Sequence, residues 1–307
     1  MGLETSDIAC EDVTVWQCPS HAFLAAMCEG GIRLTRCRIQ RKDEPDRLIS
    51  ATADGAHFMS LKGDILIEDC DFSYQGDDSV NIHGMWCQVA EIVDNHTVKL
   101  AGKFVEGTAM TASPGDEIKF CKAANLAEIG RLSLDQITLG ADGKSLLLKT
   151  VEALPAGLEL GDFLGNMNRA CNRYIIRGNY FHDHRARGML IQAKDGLIEN
   201  NHVARTMAGA LNLTVDCNYW TEGFGIERLI VRGNTFETCN WAGWERHGSG
   251  VHMGMVSLAV DTKTGPGDYP VHHQVLFENN TFIATPGLAL FLSGRDAVVV
   301  RSHRLVG

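Results

Sequence analysis

The chain has 307 residues, 45% of them hydrophobic, with 38 Asp and Glu against 28 Lys and Arg and a formal net charge of −10. That apolar fraction suits a packed globular protein, and the acidic balance excludes sequence-independent nucleic-acid binding, which needs a basic face. No apolar run approaches the ~20 residues of a membrane span, and the ten cysteines include no C-x-x-C pair of the kind that marks a metal finger. Met1 to Ser6 carry neither a charged nor an apolar region, so no export signal is expected there and the compartment is left open.

One short phrase recurs along the chain: an apolar pair, one to three polar residues, Asn or Cys, any residue, then Phe or an aliphatic. Weak copies end at Val15 and Ile39. Full copies are Ile65-Leu66-Ile67-Glu68-Asp69-Cys70-Asp71-Phe72, Ile175-Ile176-Arg177-Gly178-Asn179-Tyr180-Phe181 and Leu197-Ile198-Glu199-Asn200-Asn201-His202-Val203. Two more end at Phe236 and Phe282. Eight residues after an anchor an alternating strand starts: Phe23 after Val15, Val80 after Phe72, Met189 after Phe181, Leu211 after Val203, Leu290 after Phe282. Several short strands per unit of about 22–33 residues, with Asn at one fixed turn, describe a solenoid coil. Cys70, Asn179, Asn201 and Asn234 should form one inward column, and Cys37 and Cys70 should be buried, stacked thiols rather than disulfide partners. A leucine-rich repeat lacks its Leu/Asn spacing here, and a β-sandwich is the plainer alternative.

The interval from Phe72 to Phe181 is several coils long. The excess, residues 86–170, has strand-like runs at 97–100 and 146–151 and turn signals at Pro114-Gly115, Asp142-Gly143 and Ala156-Gly157. The expected fold is therefore all-β: a right-handed parallel β-helix in two parts, 1–85 and 171–307, with 86–170 an inserted small β-barrel or sandwich.

Aligning the strands aligns the chemistry. Val80 and Ile82 point inward, so Asn81 points out, and His57 does so between Ala56 and Phe58. Asp54, Asp78 and Arg187 each stand two residues before their strand and should form a column on consecutive coils, with strands ~4.8 Å apart. Asp77 lies in the same turn. Carboxyls this close shift one another's pKa, so that one keeps a proton. Two carboxyls in acid and base roles are the minimum for glycoside cleavage. An isolated Gly-Asp-Asp is usually just a polar turn; stacking with Asp54 and Arg187 argues for a site. Clustered carboxylates also bind calcium, but Arg187 in the column opposes it. His182-Asp183-His184 reads as a polar run rather than a metal site. His57, Asn81, His83, Gln192, Asn212 and Thr214 fall on outward positions and should line a groove of neutral donors and acceptors suited to sugar hydroxyls. Tyr219, Trp220 and Glu222 follow directly, and an extra loop near 41–50 should sit at the groove edge.

Ala53-Asp54-Gly55, Gly76-Asp77-Asp78-Ser79-Val80-Asn81-Ile82-His83-Gly84, Arg185-Ala186-Arg187-Gly188 and Asn218-Tyr219-Trp220 resemble the α-1,3-galactosidases of glycoside hydrolase family 110. The resemblance covers nearly the whole chain and is most specific in the Asp-Asp-x-x-Asn-x-His-Gly block. It implies a β-helical, exo-acting, inverting enzyme that removes terminal α-linked galactose without a metal or other cofactor. It implies Asp54, Asp77 and Asp78 as the catalytic carboxylates, and a secreted or periplasmic location. Polygalacturonases resemble it more distantly; their Gly-His-Gly and Arg-Ile-Lys are not present in the expected form. By analogy with them Asp77 is the expected acid, at ~6.5–9.5 Å from the base as inversion requires. The expected partner is a carbohydrate with terminal galactose, with no nucleic acid and no membrane span; the oligomeric state is left open. Two other classes compete. A polysaccharide lyase would use Arg187 as base with Ca²⁺ and lose activity to a chelator. A non-catalytic glycan-binding solenoid would show binding without turnover.

Overall fold

The computed structural model describes residues 2–3, 6–44, 46–102, 105, 112–141, 145–243, 253–262 and 269–307. Three eight-stranded parallel sheets wind into a right-handed β-helix, each coil giving one strand to each sheet. One coil shows the rule: Ile65–Glu68 joins the second sheet, Asp71–Ser73 the third and Val80–His83 the first. Val80 pairs with Ala56 on one side and Met189 on the other, all parallel, as the register read from the sequence requires. The inward positions of the alternating strands, such as Ile65, Ile67, Phe72, Val80 and Ile82, are fully buried in one continuous core. There the Phe72 ring lies 5.4 Å from that of Phe181.

The turn that ends each recurring phrase has a plain physical cause. Asp69, Gly178, Asn200, Gly233 and Asn279 all adopt left-handed backbone, with φ between 54° and 68°. Gly, Asn and Asp tolerate that region best, so the repeat places them just before its inward residue. The next residue then points into the core and stacks on its equivalents. The N–H of Cys70 donates to Asn179 Oδ1 (2.8 Å), and Asn179 Nδ2 donates to Asn201 Oδ1 (2.8 Å). Asn201 Nδ2 in turn donates to Asn234 Oδ1 (2.9 Å), and Asn234 Nδ2 to Asn280 Oδ1 (3.0 Å). The second amide hydrogen of Asn201 goes to the carbonyl of Ile176 (2.9 Å). Replacing Asn201 by Leu strands buried donors and acceptors on both neighbouring coils. It is expected to lower the unfolding free energy by about 1–3 kcal/mol, and an unchanged denaturation midpoint would count against the ladder. Where Asn gives way to Cys, the N–H of Cys37 meets Cys70 Sγ at 3.4 Å. All ten cysteines are free thiols, eight of them buried.

After Val80–His83 the chain leaves the solenoid and forms a closed six-stranded antiparallel barrel from Trp86–Ile92 to Phe163–Asn166. The insertion is thus a barrel rather than a sandwich. It has its own core, with Val89, Val98, Phe120, Leu134 and Leu148 fully buried. Gly115 and Gly157 turn with φ of 88° and 80°; the Asp142-Gly143 turn lies outside the described residues. The barrel rests on the solenoid through Trp86, whose ring meets Phe224 edge-on at 4.6 Å. Gly84 is needed at this junction, since a Cβ there would lie 2.5 Å from the Phe224 ring. Among the described residues no helix is long and apolar enough to cross a membrane.

Candidate active site

The turns joining the third sheet to the first stack Asp54, Asp78 and Arg187 on consecutive coils. The N–H of Asp78 donates to Asp54 Oδ1 (3.1 Å). Arg187 donates to Asp78 Oδ1 through its backbone N (3.0 Å) and its Nε (2.8 Å). Each carboxylate therefore accepts from the coil after it, which holds the column rigid. Asp54 and Asp78 are 4% and 1% exposed, while Asp77 is half-buried. One oxygen from each of the three carboxyls lies within 4.8 Å of the others. These nearest oxygens lie closer together than the ~6.5–9.5 Å expected between the acid and base groups of an inverting pair.

His21, absent from the reading of the sequence, belongs to the same column. It stands two residues before Phe23–Ala26, and its Nδ1 lies 3.4 Å from Asp54 Oδ2. The offset that finds Asp54 and Asp78 finds it too once the first coil is included. His57 closes on Asp54 from the strand, with Nδ1 2.5 Å from Oδ2. His57 Nε2 meets His83 Nε2 at 3.1 Å, and His83 Nδ1 lies 3.2 Å from the carbonyl of Gly84. These contacts form one directed chain: Asp54 accepts from His57, His57 donates to His83, and His83 donates to Gly84.

The electrostatics agree with that direction. Burial disfavours charge on Asp54, but the neighbouring His21 and the hydrogen bond from His57 outweigh it and hold its carboxyl well below the usual range. Burial also opposes charge on His57, yet the bond and charge of Asp54 raise its pKa. Burial, with the charge of His57, pushes His83 down to about 3, so it stays neutral. Asp78 moves the other way. Burial, then the charges of Asp54 and Asp77, push it up to about 7 against the pull of Arg187. Asp77 is raised by burial and by Asp54, against Arg187 and Arg185. The three carboxyls act as one coupled set that retains a proton near neutrality.

Asn81, His83, Gln192 and Asn212 lie on the first sheet as expected, but buried rather than lining an open groove. The segment around Glu222 packs against His83 and Gln192. Gly223 N donates to the carbonyl of Gly84 (3.0 Å) and Trp86 N to that of Thr221 (2.9 Å). Glu222, itself buried, accepts from Gln192 Nε2 (3.0 Å) and lies 3.7 Å from His83 Nε2. Its burial raises its pKa to about 7. Asn81 Oδ1 and Gln192 Oε1 have no hydrogen-bond partner among the described residues, an arrangement suited to a polar ligand. Tyr219 and Trp220 stand 62% and 49% exposed on the covering segment. Asp216 fixes the turn beneath them by accepting from the N–H groups of residues 218 to 220.

Among the described residues two triples have the spacing of cation ligands: His21, Asp54 and His57, and the three aspartates. The guanidinium of Arg187 already places positive charge on Asp78 in the second of these. His182-Asp183-His184 serves the framework. His184 Nε2 bonds Ser79 Oγ (2.9 Å), bracing the Asp77-Asp78 turn, and His182 bridges Asp71 and Asp183.

No family model matches the chain. Its sequence is similar to the alpha-1,3-galactosidase A of Shewanella woodyi, 26% identical over 99% of this chain and 48% of that protein. It is similar to the alpha-1,3-galactosidase A of Bacteroides fragilis, 27% identical over 89% and 45% of the two chains. With the alpha-1,3-galactosidase B of Bacteroides thetaiotaomicron the figures are 24%, 85% and 42%. The resemblance read from the motifs is thus borne out, and the chain spans about half the length of these relatives.

Proposed function

We propose that this chain carries the catalytic core of a glycoside hydrolase that removes terminal α-linked galactose with inversion, through Asp54, Asp77 and Asp78. The observation that carries the reading is the convergence of three carboxyls within 4.8 Å on a column that also holds a guanidinium. Asp77, the most accessible of the three and raised in pKa, donates its proton to the glycosidic oxygen as the C1–O bond breaks. Water held by Asp54 and Asp78 attacks C1 from the opposite face and passes its proton to that pair. The proton count of the set is unchanged; redistribution among the three resets it. Arg187 orients Asp78. His57, Asn81, His83, Gln192, Asn212 and Glu222 meet the ring hydroxyls, and Tyr219 and Trp220 cover an apolar sugar face. The cover over the first sheet closes one end of the site, which supports exo-action on a single terminal ring, with no cofactor.

A second reading, retention, is favoured by the short carboxyl spacing, since ~5–5.5 Å is typical of enzymes with a carboxylate nucleophile. Against it, Asp54 and Asp78 are recessed and held by hydrogen bonds, so a water reaches C1 more easily than either carboxylate does. A panel of aryl α- and β-glycosides, followed by ¹H NMR of the first-formed product, separates these readings. Hydrolysis of the α-galactoside with β-galactose appearing first is the expected result. α-Galactose appearing first would replace the water by an aspartate nucleophile, and no turnover of any α-galactoside would end the galactosidase reading.

A further inference from the structure

A groove of about 580 Å³ runs along the outer corner of the turn that carries the aspartates, within the ~300–1,000 Å³ of small-molecule sites. Its floor follows from backbone geometry. Tyr74, Asp183, Arg205 and Thr238 line it from successive coils, all left-handed, with φ of 60°, 51°, 54° and 51°. One wall is Leu48 and Ile49 from the extra loop; the other is Trp241. Leu48 is 77% and Trp241 51% exposed. Apolar faces left in water on both sides of a concave strip mark a binding surface more often than a packing one.

Resting on the hydrolase reading above, we infer that this groove holds the saccharide on the leaving side of the cleaved bond. The groove adjoins the acid: Gln75 on its wall is two residues before Asp77. Arg185, also on the wall, donates to the carbonyl of Gly76 (3.4 Å), and its charge acts on the Asp77 carboxyl. On the other side of Asp77 the site is closed by the segment around Glu222. A terminal ring in the closed part and the remainder of the glycan in the groove put the bridging oxygen at Asp77, where protonation is needed.

The lining suits a neutral sugar. The Trp241 ring and the Leu48 and Ile49 side chains match the C–H face of a pyranose. Gln75 is fully buried at the groove wall, and its Oε1 has no partner among the described residues. The charges of Asp183 and Arg205 neutralise each other, with Arg205 Nε 2.7 Å from Asp183 Oδ1, so an ionic ligand gains little from them.

The test compares α-1,3-galactosyl-lactose with α-galactosyl fluoride, whose leaving group is too small to enter the groove. In Trp241→Ala and Leu48→Ser the ratio of kcat/KM for trisaccharide over fluoride should fall about tenfold, the loss of one good stacking contact. An unchanged ratio in both folded variants overturns the inference, even with an active enzyme. If the unaltered chain hydrolyses neither compound, the hydrolase reading fails, and lactose titrated into the protein by NMR decides the groove separately. Binding that weakens about tenfold in Trp241→Ala supports it; no lactose binding overturns it.

Discussion

Asp77→Asn should lower kcat on a galactoside with a poor leaving group by about 10²–10⁴-fold, the usual worth of a positioned acid or base, with little change in substrate binding. The same variant should lose far less on 2,4-dinitrophenyl α-galactoside, whose leaving group departs without a proton. Asp54→Asn and Asp78→Asn should lose comparably on both substrates, because they act on the water and not on the leaving group. The contrast separates the roles of three carboxyls that titrate as a set and that no single pH profile could apportion. The fold should tolerate these changes, since an Asn oxygen at position 78 still accepts from the N–H of Arg187, and circular dichroism checks it. Near-normal turnover when residues 77 and 78 are both Asn would sink the mechanism. Equal losses on the two substrates in Asp77→Asn would move the acid to another member of the set.

How much of this was legible in the sequence depended on which features repeat once per coil. The left-handed residue followed by Asn or Cys recurs along the ladder, and the offset to the next strand is constant wherever the intervening turn is short. Asp54, Asp78 and Arg187 could be placed in one column for that reason. The offset fails after Phe236, where the next strand of the first sheet is Val256–Leu258, because the coil is longer there. The burial of His83 and Gln192 was not legible. It depends on a segment far along the chain that folds back and seats Phe224 against Gly84 and Trp86, and no local pattern encodes that return. Trp241 and Tyr74 were missed for a similar reason: a groove formed by several turns has no signature in any one of them.

Arg187→Met tests the electrostatics of the column independently of any substrate. Asp78 is almost completely buried, and its Oδ1 receives the Arg187 Nε at 2.8 Å. Removing one partner of a buried pair costs about 3–5 kcal/mol when the remaining charge has nowhere to go. Here the remaining carboxyl can take up a proton instead, so the cost should depend on pH. Burial already pushes the folded-state pKa of Asp78 up to about 7, above the ordinary carboxylate range. A carboxyl raised in this way contributes its full stability below the unfolded value and loses it as pH rises through the folded one. Loss of the guanidinium raises the folded pKa further, so the variant goes on losing stability at a pH where the parent has levelled off. At pH 5 Asp78 is protonated in both proteins, and the difference should shrink to about 1 kcal/mol, the worth of one hydrogen bond. At pH 8.5 it should reach about 3 kcal/mol. Urea denaturation at the two pH values measures both. A difference that is the same at pH 5 and pH 8.5 would mean that Arg187 acts by packing alone, and that the proton of the aspartate set is not held in balance by its charge.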